Sequence, residues 1–453
     1  MAASDTIAAI ASAPGRGAVG VIRVSGSNVP QIAASMLGSL PPPRVAQVAH
    51  FLGGEGDSID RGLALYFPAP ASYTGEHVLE LQGHGGVLVL DMLLKRLLEL
   101  GCRMARPGEF TERAFLNGKI DIAQAEAIAD LIEAGSTAAA RAAVRSMQGE
   151  FSAHVHALQA QITDLRTLVE AAIDFPDEEL DFVPGSVLGR SIAQIFSGFD
   201  RIFAAARQGA LLREGVNVVI AGKPNAGKSS LLNRLVGDEI AIVTEQAGTT
   251  RDVLRQQVHL DGMPVNLIDT AGLRVTADVV EAEGVRRAFA ELGRADRVLY
   301  ILDAAGPAGD SSASLLAAEL AELPQGVPVT LIFNKIDLSG AQASVDESRE
   351  PPQVFLSAKT GAGLDLLRAH LKSRAGYRSG ESGALSARRR HLDALDRARS
   401  SVEQAAQTLS TSRAFELFAE DLRRAQLALG EITGEFSSDD LLGEIFSSFC
   451  IGK

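Results

Sequence analysis

A chain of 453 residues exceeds the usual length of one domain, so two or three are expected. A hydrophobic content of 46% with 22% charged residues is that of a soluble globular chain, and a formal net charge of −13 excludes a surface coated in positive charge for nucleic acid. Two cysteines, Cys102 and Cys450, exclude a disulfide scaffold and a Cys-rich zinc site, and no leader-like or membrane-length apolar run is present, so a cytoplasmic chain is expected.

To about Phe115, short β-type runs alternate with Gly and Pro punctuation. Val19–Val24, Gly62–Phe67 and His77–Gln82 read as strands and Val87–Leu100 as an amphipathic helix, giving an α+β domain over residues 1–117. Residues 118–214 carry helical texture: Val155, Leu158, Ile162, Leu165 and Val169 recur at spacings of three and four, which places them on one stripe. An acidic, Pro-containing break follows at 174–181, and the stripe resumes at Ile192, Ile195, Phe199 and Ile202. Residues 215–376 change character. Val216–Ala221, Gln257–Leu260, Val265–Asp269, Val298–Asp303, Val329–Asn334 and Val354–Leu356 are short apolar strand candidates with helical segments between most of them, the pattern of a doubly wound parallel sheet. Helical texture returns in 377–453, where Phe415, Phe418, Leu422, Ala425 and Leu429 form another stripe. Two separate helical domains would satisfy this order. A single helical domain interrupted by an inserted α/β unit is the simpler account and is the one expected.

Gly222-Lys-Pro-Asn225-Ala226-Gly227-Lys228-Ser229 matches GxxxxGK[ST] between an expected strand and the helical run that opens at Ser230. In a P-loop, backbone N–H groups wrap phosphates, Lys228 reaches the β- and γ-phosphates, and the Ser229 hydroxyl ligates Mg²⁺. In Leu267-Ile-Asp269-Thr270-Ala271-Gly272, the strand-terminal acid suits the Mg²⁺ water shell and the Gly272 N–H suits the γ-phosphate. Between them, Gly248-Thr249-Thr250 supplies a hydroxyl to complete that shell. The base is read at Asn334-Lys335-Ile-Asp337, whose carboxylate can accept from guanine N1–H and its exocyclic amine, a donor pair adenine lacks. Ser357-Ala358-Lys359 would set backbone N–H groups against the guanine O6. These elements in this order predict a GTP-binding domain of the Ras-like, P-loop type.

Hydrolysis needs another device. The position after Asp269–Gly272, where many GTPases carry a water-orienting Gln, is Leu273. Asn225 together with the loop Ile242–Thr250 could hold a monovalent cation against the phosphates in place of an arginine finger. Glu281 is a candidate to position water, although from spacing alone a solvated helix carboxylate accounts for it better, and Arg274 is an alternative electrophile.

With PGRGAVG at 14–20, LELQGHGG at 79–86, RPGEFTERAFLNGKIDIAQAEAIAD at 106–130, AAIDFPDEE at 171–179 and FSSFCIGK at the C-terminus, the chain resembles the MnmE (TrmE) family of tRNA-modification GTPases over its whole length. The resemblance implies a potassium-dependent GTPase that forms a homodimer through a formyl-folate-binding N-terminal domain. With an FAD-dependent partner of the MnmG type, such a protein adds an aminomethyl-type (carboxymethylaminomethyl) group to C5 of the wobble uridine of certain tRNAs, from a folate one-carbon unit. It places potassium at Asn225, Thr244, Gln246 and Thr249, Mg²⁺ at Ser229 and Thr250, and extends the nucleotide loop through Glu245 and Ala247. Gln246 departs from the aliphatic residue expected there, a change a backbone carbonyl ligand would survive. Glu281 falls on the family's catalytic glutamate, acting with Lys228. Arg23, Glu80, Lys119 and Lys453 match the folate positions: a cation suits the glutamate tail, and Glu80 suits the pterin's amine and ring N–H.

Cys450 reads equally as a nucleophile or a packed thiol, and Ala387-Arg-Arg-Arg-His391 as an RNA-phosphate contact or the solvated start of a helix. The rival to tRNA modification is a ribosome-assembly or signalling switch in which GTP controls binding alone.

Overall fold

The computed structural model describes residues 5–174, 185–237, 255–269, 293, 295–306, 313–321, 323–324, 326–378, 383–411, 414–435, 439–447, 449 and 452. Two compact units result: Met1–Ala129 with Ser146–Phe199 and Asp393–Lys453, and Asp130–Arg145 with Asp200–Leu392.

In the first unit a six-stranded sheet runs in the order β3-β4-β5-β2-β1-β6, where β1 is Ile7–Ile10, β2 Val19–Ser25, β3 Gln47–Leu52, β4 Ser58–Phe67, β5 Val78–His84 and β6 Arg103–Met104. Helices Val29–Leu37 and Val87–Glu99 cover one face, packing Ile32, Met36, Leu90, Leu93 and Leu97 on Ile22, Val24, Leu79 and Leu81. The alternation in β2 sends Ile22 and Val24 into that core and leaves Arg23 on the opposite face. Strands expected at 19–24 and 62–67 lie within β2 and β4, the one expected at 77–82 overlaps β5 from Val78, and the helix expected from Val87 is present. β1, β3, β6 and helix Val29–Leu37 were not anticipated.

The stripe Val155, Leu158, Ile162, Leu165 and Val169 is buried along helix Glu150–Asp174, and Phe418, Leu422, Ala425 and Leu429 are buried along helix Phe415–Thr433. These two helices pack together: Arg166 Nη1 donates to Gln426 Oε1 at 2.8 Å, across 260 residues of sequence. These two helices, one on each side of the seven-stranded sheet in sequence, share one unit. Helix Asp439–Ser447 adds Ile445, Phe446 and then Phe449 to a cluster with Ile122 and Ala125. The acidic break at 175–181 lies outside the described residues.

The second unit holds a seven-stranded sheet, β12-β13-β11-β10-β7-β9-β8. Its strands are β7 Val216–Gly222, β8 Arg255–Leu260, β9 Met263–Asp269, β10 Arg297–Asp303, β11 Val329–Asn334, β12 Ser344–Asp346 and β13 Gln353–Phe355. The five inner strands are parallel, while β8 and β12 join antiparallel at the edges. All six expected strands are present. Their near-continuous burial explains their legibility, because a parallel sheet covered on both faces needs apolar residues on both. Strand order reverses between β7 and β10, the place where such sheets hold ligands beyond their C-terminal ends.

At the foot of this unit, Asp130 accepts from Arg213 Nε (2.8 Å), Ser386 Oγ (2.6 Å) and Arg388 Nη2 (3.0 Å). One buried carboxylate thus ties the chain running into β7 to the chain leaving the sheet. In the cationic run 388–391, Arg388 pairs with Asp130 and His391 is buried at the start of helix Arg389–Thr411, while Arg389 stays exposed. No helix of the described residues is long and apolar enough to cross a membrane.

Candidate functional site

β7 ends at Gly222, where φ is +137° and a Cβ would run into the carbonyl oxygen of Ile301 on β10. Only glycine lets the chain leave the sheet there. Gly227 has φ +102° and sits so close to the Asn334 amide that a Cβ would strike Nδ2. Between them Asn225 is exposed in a left-handed conformation with φ +63°. Helix Lys228–Gly237 starts directly from this loop, so the N–H groups at its N-terminus and the positive end of its dipole lie at the loop. Lys228 curls back to donate from Nζ to the carbonyls of Gly222 (2.7 Å) and Lys223 (2.8 Å). Ser229 and Ser230 are exposed on the first helical turn.

Asn334, only 2% exposed, works at both ends of its amide: Nδ2 donates to the Ala226 carbonyl and Oδ1 accepts from the Ala358 N–H, each at 2.9 Å. It therefore fastens the P-loop to the Ser357–Lys359 turn, and its amide is a brace between the phosphate and base ends of the site. Lys335 adopts φ +66° and pairs with Asp303 Oδ2 at 2.6 Å. Burial pushes the Asp303 carboxyl up, but hydrogen bonds from Lys335 and the Ala305 N–H outweigh it and hold it below its ordinary value. Asp303 was not among the expected site residues. Its sequence signal is that it closes an expected strand; its place opposite Asn334 is a property of the β10–β11 register. Asp337 stays exposed and accepts from the Ser357 hydroxyl at 2.6 Å, while Ser357 in turn accepts from the Thr360 N–H at 3.2 Å. The N–H groups of Ser357 and Ala358 are both engaged inside the protein, by the Ala362 carbonyl and Asn334 Oδ1.

Asn225, Ala226, Gly227 and Lys228 thus meet Asn334 and Ala358 in one constellation at the C-terminal ends of the strands. Asp269 ends β9, in register with Ile220 of β7. Thr244, Glu245, Gln246, Ala247, Gly248, Thr249, Thr250, Thr270, Ala271, Gly272, Leu273, Arg274 and Glu281 lie outside the described residues, as do Cys450 and Lys453.

A second constellation lies in the other unit. Arg23 and Glu80 are directly opposed across β2 and β5, and the guanidinium meets Glu80 Oε1 through Nε at 2.9 Å and Nη2 at 2.8 Å. Arg23 also lies over the rings of Tyr73 (5.5 Å) and Phe110 (5.8 Å), two residues the sequence reading missed. The same unit carries an ionic network: Arg113 bonds Glu76, Glu109 and Asp5, while Arg103 bonds Glu109 and Asp5. Burial works against the Glu109 carboxylate, yet hydrogen bonds from Arg103, the Arg106 N–H and Arg113 bring it down to about 2. Asn117 Nδ2 donates to the Thr74 carbonyl at 2.7 Å, and the Lys119 side chain passes beside Gly75 of the same loop. The C-terminal segment reaches this unit too, for a Cβ on Gly452 would strike the Ile10 carbonyl and one on Gly108 that of Phe446.

Comparison with known proteins covers nearly the whole chain. Residues 6–119 match the profile described as "GTP-binding protein TrmE N-terminus", and residues 122–450 match the "MnmE helical domain". A protein of Methylococcus capsulatus named tRNA modification GTPase MnmE is 57% identical over 450 residues, covering 99% of each chain. One of Sodalis glossinidius with the same name is 54% identical over 454 residues and all of both chains. Among solved structures, the G domain of the T. maritima FeoB iron transporter aligns with 35% of this chain and 98% of its own at 29% identity, with a TM-score of 0.27, too low to bear on the reading.

Proposed function

The chain belongs to the MnmE (TrmE) family, and from that premise we propose its function: it hydrolyses GTP to GDP and phosphate in the service of tRNA modification. The single observation that carries the nucleotide half is the Asn334 brace, which joins a P-loop at a helix N-terminus to the Ser357–Lys359 turn, whose Ser357 hydroxyl donates to Asp337. In this reading Lys228 leaves its carbonyl partners for the β- and γ-phosphates. Asp337 accepts from the guanine N1–H and amine, and the O6 contact passes to the Lys359 N–H because its two neighbours are engaged.

The finer proposal is a potassium-dependent reaction. The donors fit hard cations: the carboxamide of Asn225 stands exposed at the crest of the P-loop, and the Ser229 hydroxyl stands on the first helical turn. Asn225, Thr244, Gln246 and Thr249 would hold K⁺, and Ser229 and Thr250 would hold Mg²⁺. When bound, the cations supply positive charge against the phosphate oxygens. Wild-type protein is expected to hydrolyse GTP roughly tenfold or more faster in KCl than in NaCl, and Asn225→Ala to abolish the difference. Equal wild-type rates in the two salts, read by phosphate release, would defeat this assignment.

On the RNA side, we propose that the chain works with an FAD-dependent partner of the MnmG type on C5 of the wobble uridine, using a formyl-folate held by Arg23, Glu80, Lys119 and Lys453. The Arg23–Glu80 pair and the seating of the C-terminal segment against the same unit support that reading over a switch without RNA chemistry. Homodimerisation through this unit is supported by exposed apolar side chains: Val48 and Leu63, opposed across β3 and β4, together with Val19, Val87 and Leu88.

A further inference from the structure

We propose that Glu319 is a positioning residue for the P-loop, acting through Lys223, an inference that rests on the GTP reading above. Glu319 lies on helix Ala313–Ala321, whose Leu316 and Leu320 pack against the core cluster that contains Ala221 and Tyr300. The two oxygens of its carboxylate have separate partners. Oε2 accepts from the Tyr300 hydroxyl at 2.5 Å, and Oε1 meets Lys223 Nζ at 3.0 Å. Burial works against the carboxylate, yet the Tyr300 and Lys223 bonds outweigh it and hold its pKa below the ordinary value. Tyr300 is itself a fixed partner, 7% exposed and opposite Ala221 in the β7–β10 register, two residues before Lys223.

Lys223 is the first residue of the loop after Gly222, and its carbonyl accepts from Lys228 Nζ at 2.8 Å. The two limbs of the loop are therefore fastened by different groups. The far limb is held at the Ala226 carbonyl by Asn334. The near limb leaves the sheet at Gly222, tight against the Ile301 carbonyl, and its next side chain is tied to Glu319. A loop that must turn its N–H groups toward an anion loses conformational freedom on binding, and fixing both limbs beforehand lowers that cost. GDP and GTP meet the same loop, so the benefit is shared by both ligands, and by ground state and transition state alike.

Calorimetric titration of the full-length protein with GDP and with a non-hydrolysable GTP analogue, beside steady-state hydrolysis of GTP, tests this role. Glu319→Gln keeps an acceptor for Tyr300 and loses the ion pair. It is expected to weaken both ligands by the same factor, roughly three- to fivefold, and to raise KM for GTP while kcat holds. Lys223→Met should match it, and the double variant should bind no more weakly than either single change. Lys223→Arg keeps the charge and should fall nearer to wild type than Lys223→Met. The lysine variants carry the test should Glu319→Gln fail to fold. Wild-type affinity in Glu319→Gln or in Lys223→Met overturns the proposal. So do additive penalties in the double variant, a loss confined to one ligand, or a fall in kcat at unchanged KM. Wild-type protein that binds neither ligand overturns the nucleotide reading and the proposal with it.

Discussion

Asp337→Asn is expected to move nucleotide preference from GTP toward xanthosine triphosphate, changing the selectivity ratio on the order of 10³-fold or more. Guanine offers two donors on one edge, N1–H and the exocyclic amine, and a carboxylate accepts both. Xanthine keeps N1–H but replaces the amine with a carbonyl. A carboxamide matches that edge with one acceptor and one donor, while meeting guanine with an N–H facing an N–H. The surroundings of Asp337 permit the swap. Its side chain is exposed, and its protein partner is the Ser357 hydroxyl, which can reorient its proton. The Asn334 brace does not involve Asp337, so the P-loop should keep its shape. Competition binding with the two triphosphates reads the ratio directly, and an unchanged preference for GTP would remove Asp337 from base recognition.

Glu281→Ala is expected to keep GTP affinity within a few-fold of wild type while turnover drops roughly 10²-fold or more. Where other GTPases carry a water-orienting Gln this chain has Leu273, whose side chain can neither donate nor accept. A carboxylate acting on the attacking water contributes in the transition state and not to ground-state binding, which is why rate and affinity should separate. Single-turnover hydrolysis in KCl, alongside equilibrium binding of a non-hydrolysable analogue, measures both. Normal hydrolysis by the variant would return Glu281 to the role of an ordinary helix carboxylate.

How far the sequence could be read depended on how local each feature was. The parallel strands β7, β9, β10 and β11 announce themselves as mostly apolar runs, interrupted at Asn217, Asn266 and Thr330, because both of their faces are covered. β12 is a three-residue edge strand, Ser344-Val-Asp346, with a single apolar residue, and carries no such signal. β3 misleads: Val48 is exposed and only Phe51 is fully buried, so its apolar residues do not alternate onto the core face. The P-loop is legible because its function depends on a fixed spacing within eight residues of sequence. The work of Asn334 is not, since its partners Ala226 and Ala358 lie 108 and 24 residues away. The same holds for Arg23 and Glu80, 57 residues apart, and for Tyr73 and Phe110, which only the folded loop brings to the guanidinium. The family resemblance pointed to four folate candidates one at a time; that Arg23 and Glu80 touch is a property of the β2–β5 register.

The central claim is that GTP hydrolysis by this chain serves modification of the tRNA wobble uridine. Its most direct test is mass spectrometry of wobble nucleosides in tRNA from cells lacking the protein, re-supplied with wild type or with Glu281→Ala. The expected result is loss of the aminomethyl-type group at C5 in the deleted cells, restored by wild type and not by the variant. Full modification in the deleted cells, or full restoration by a variant shown to be defective in hydrolysis, would contradict it.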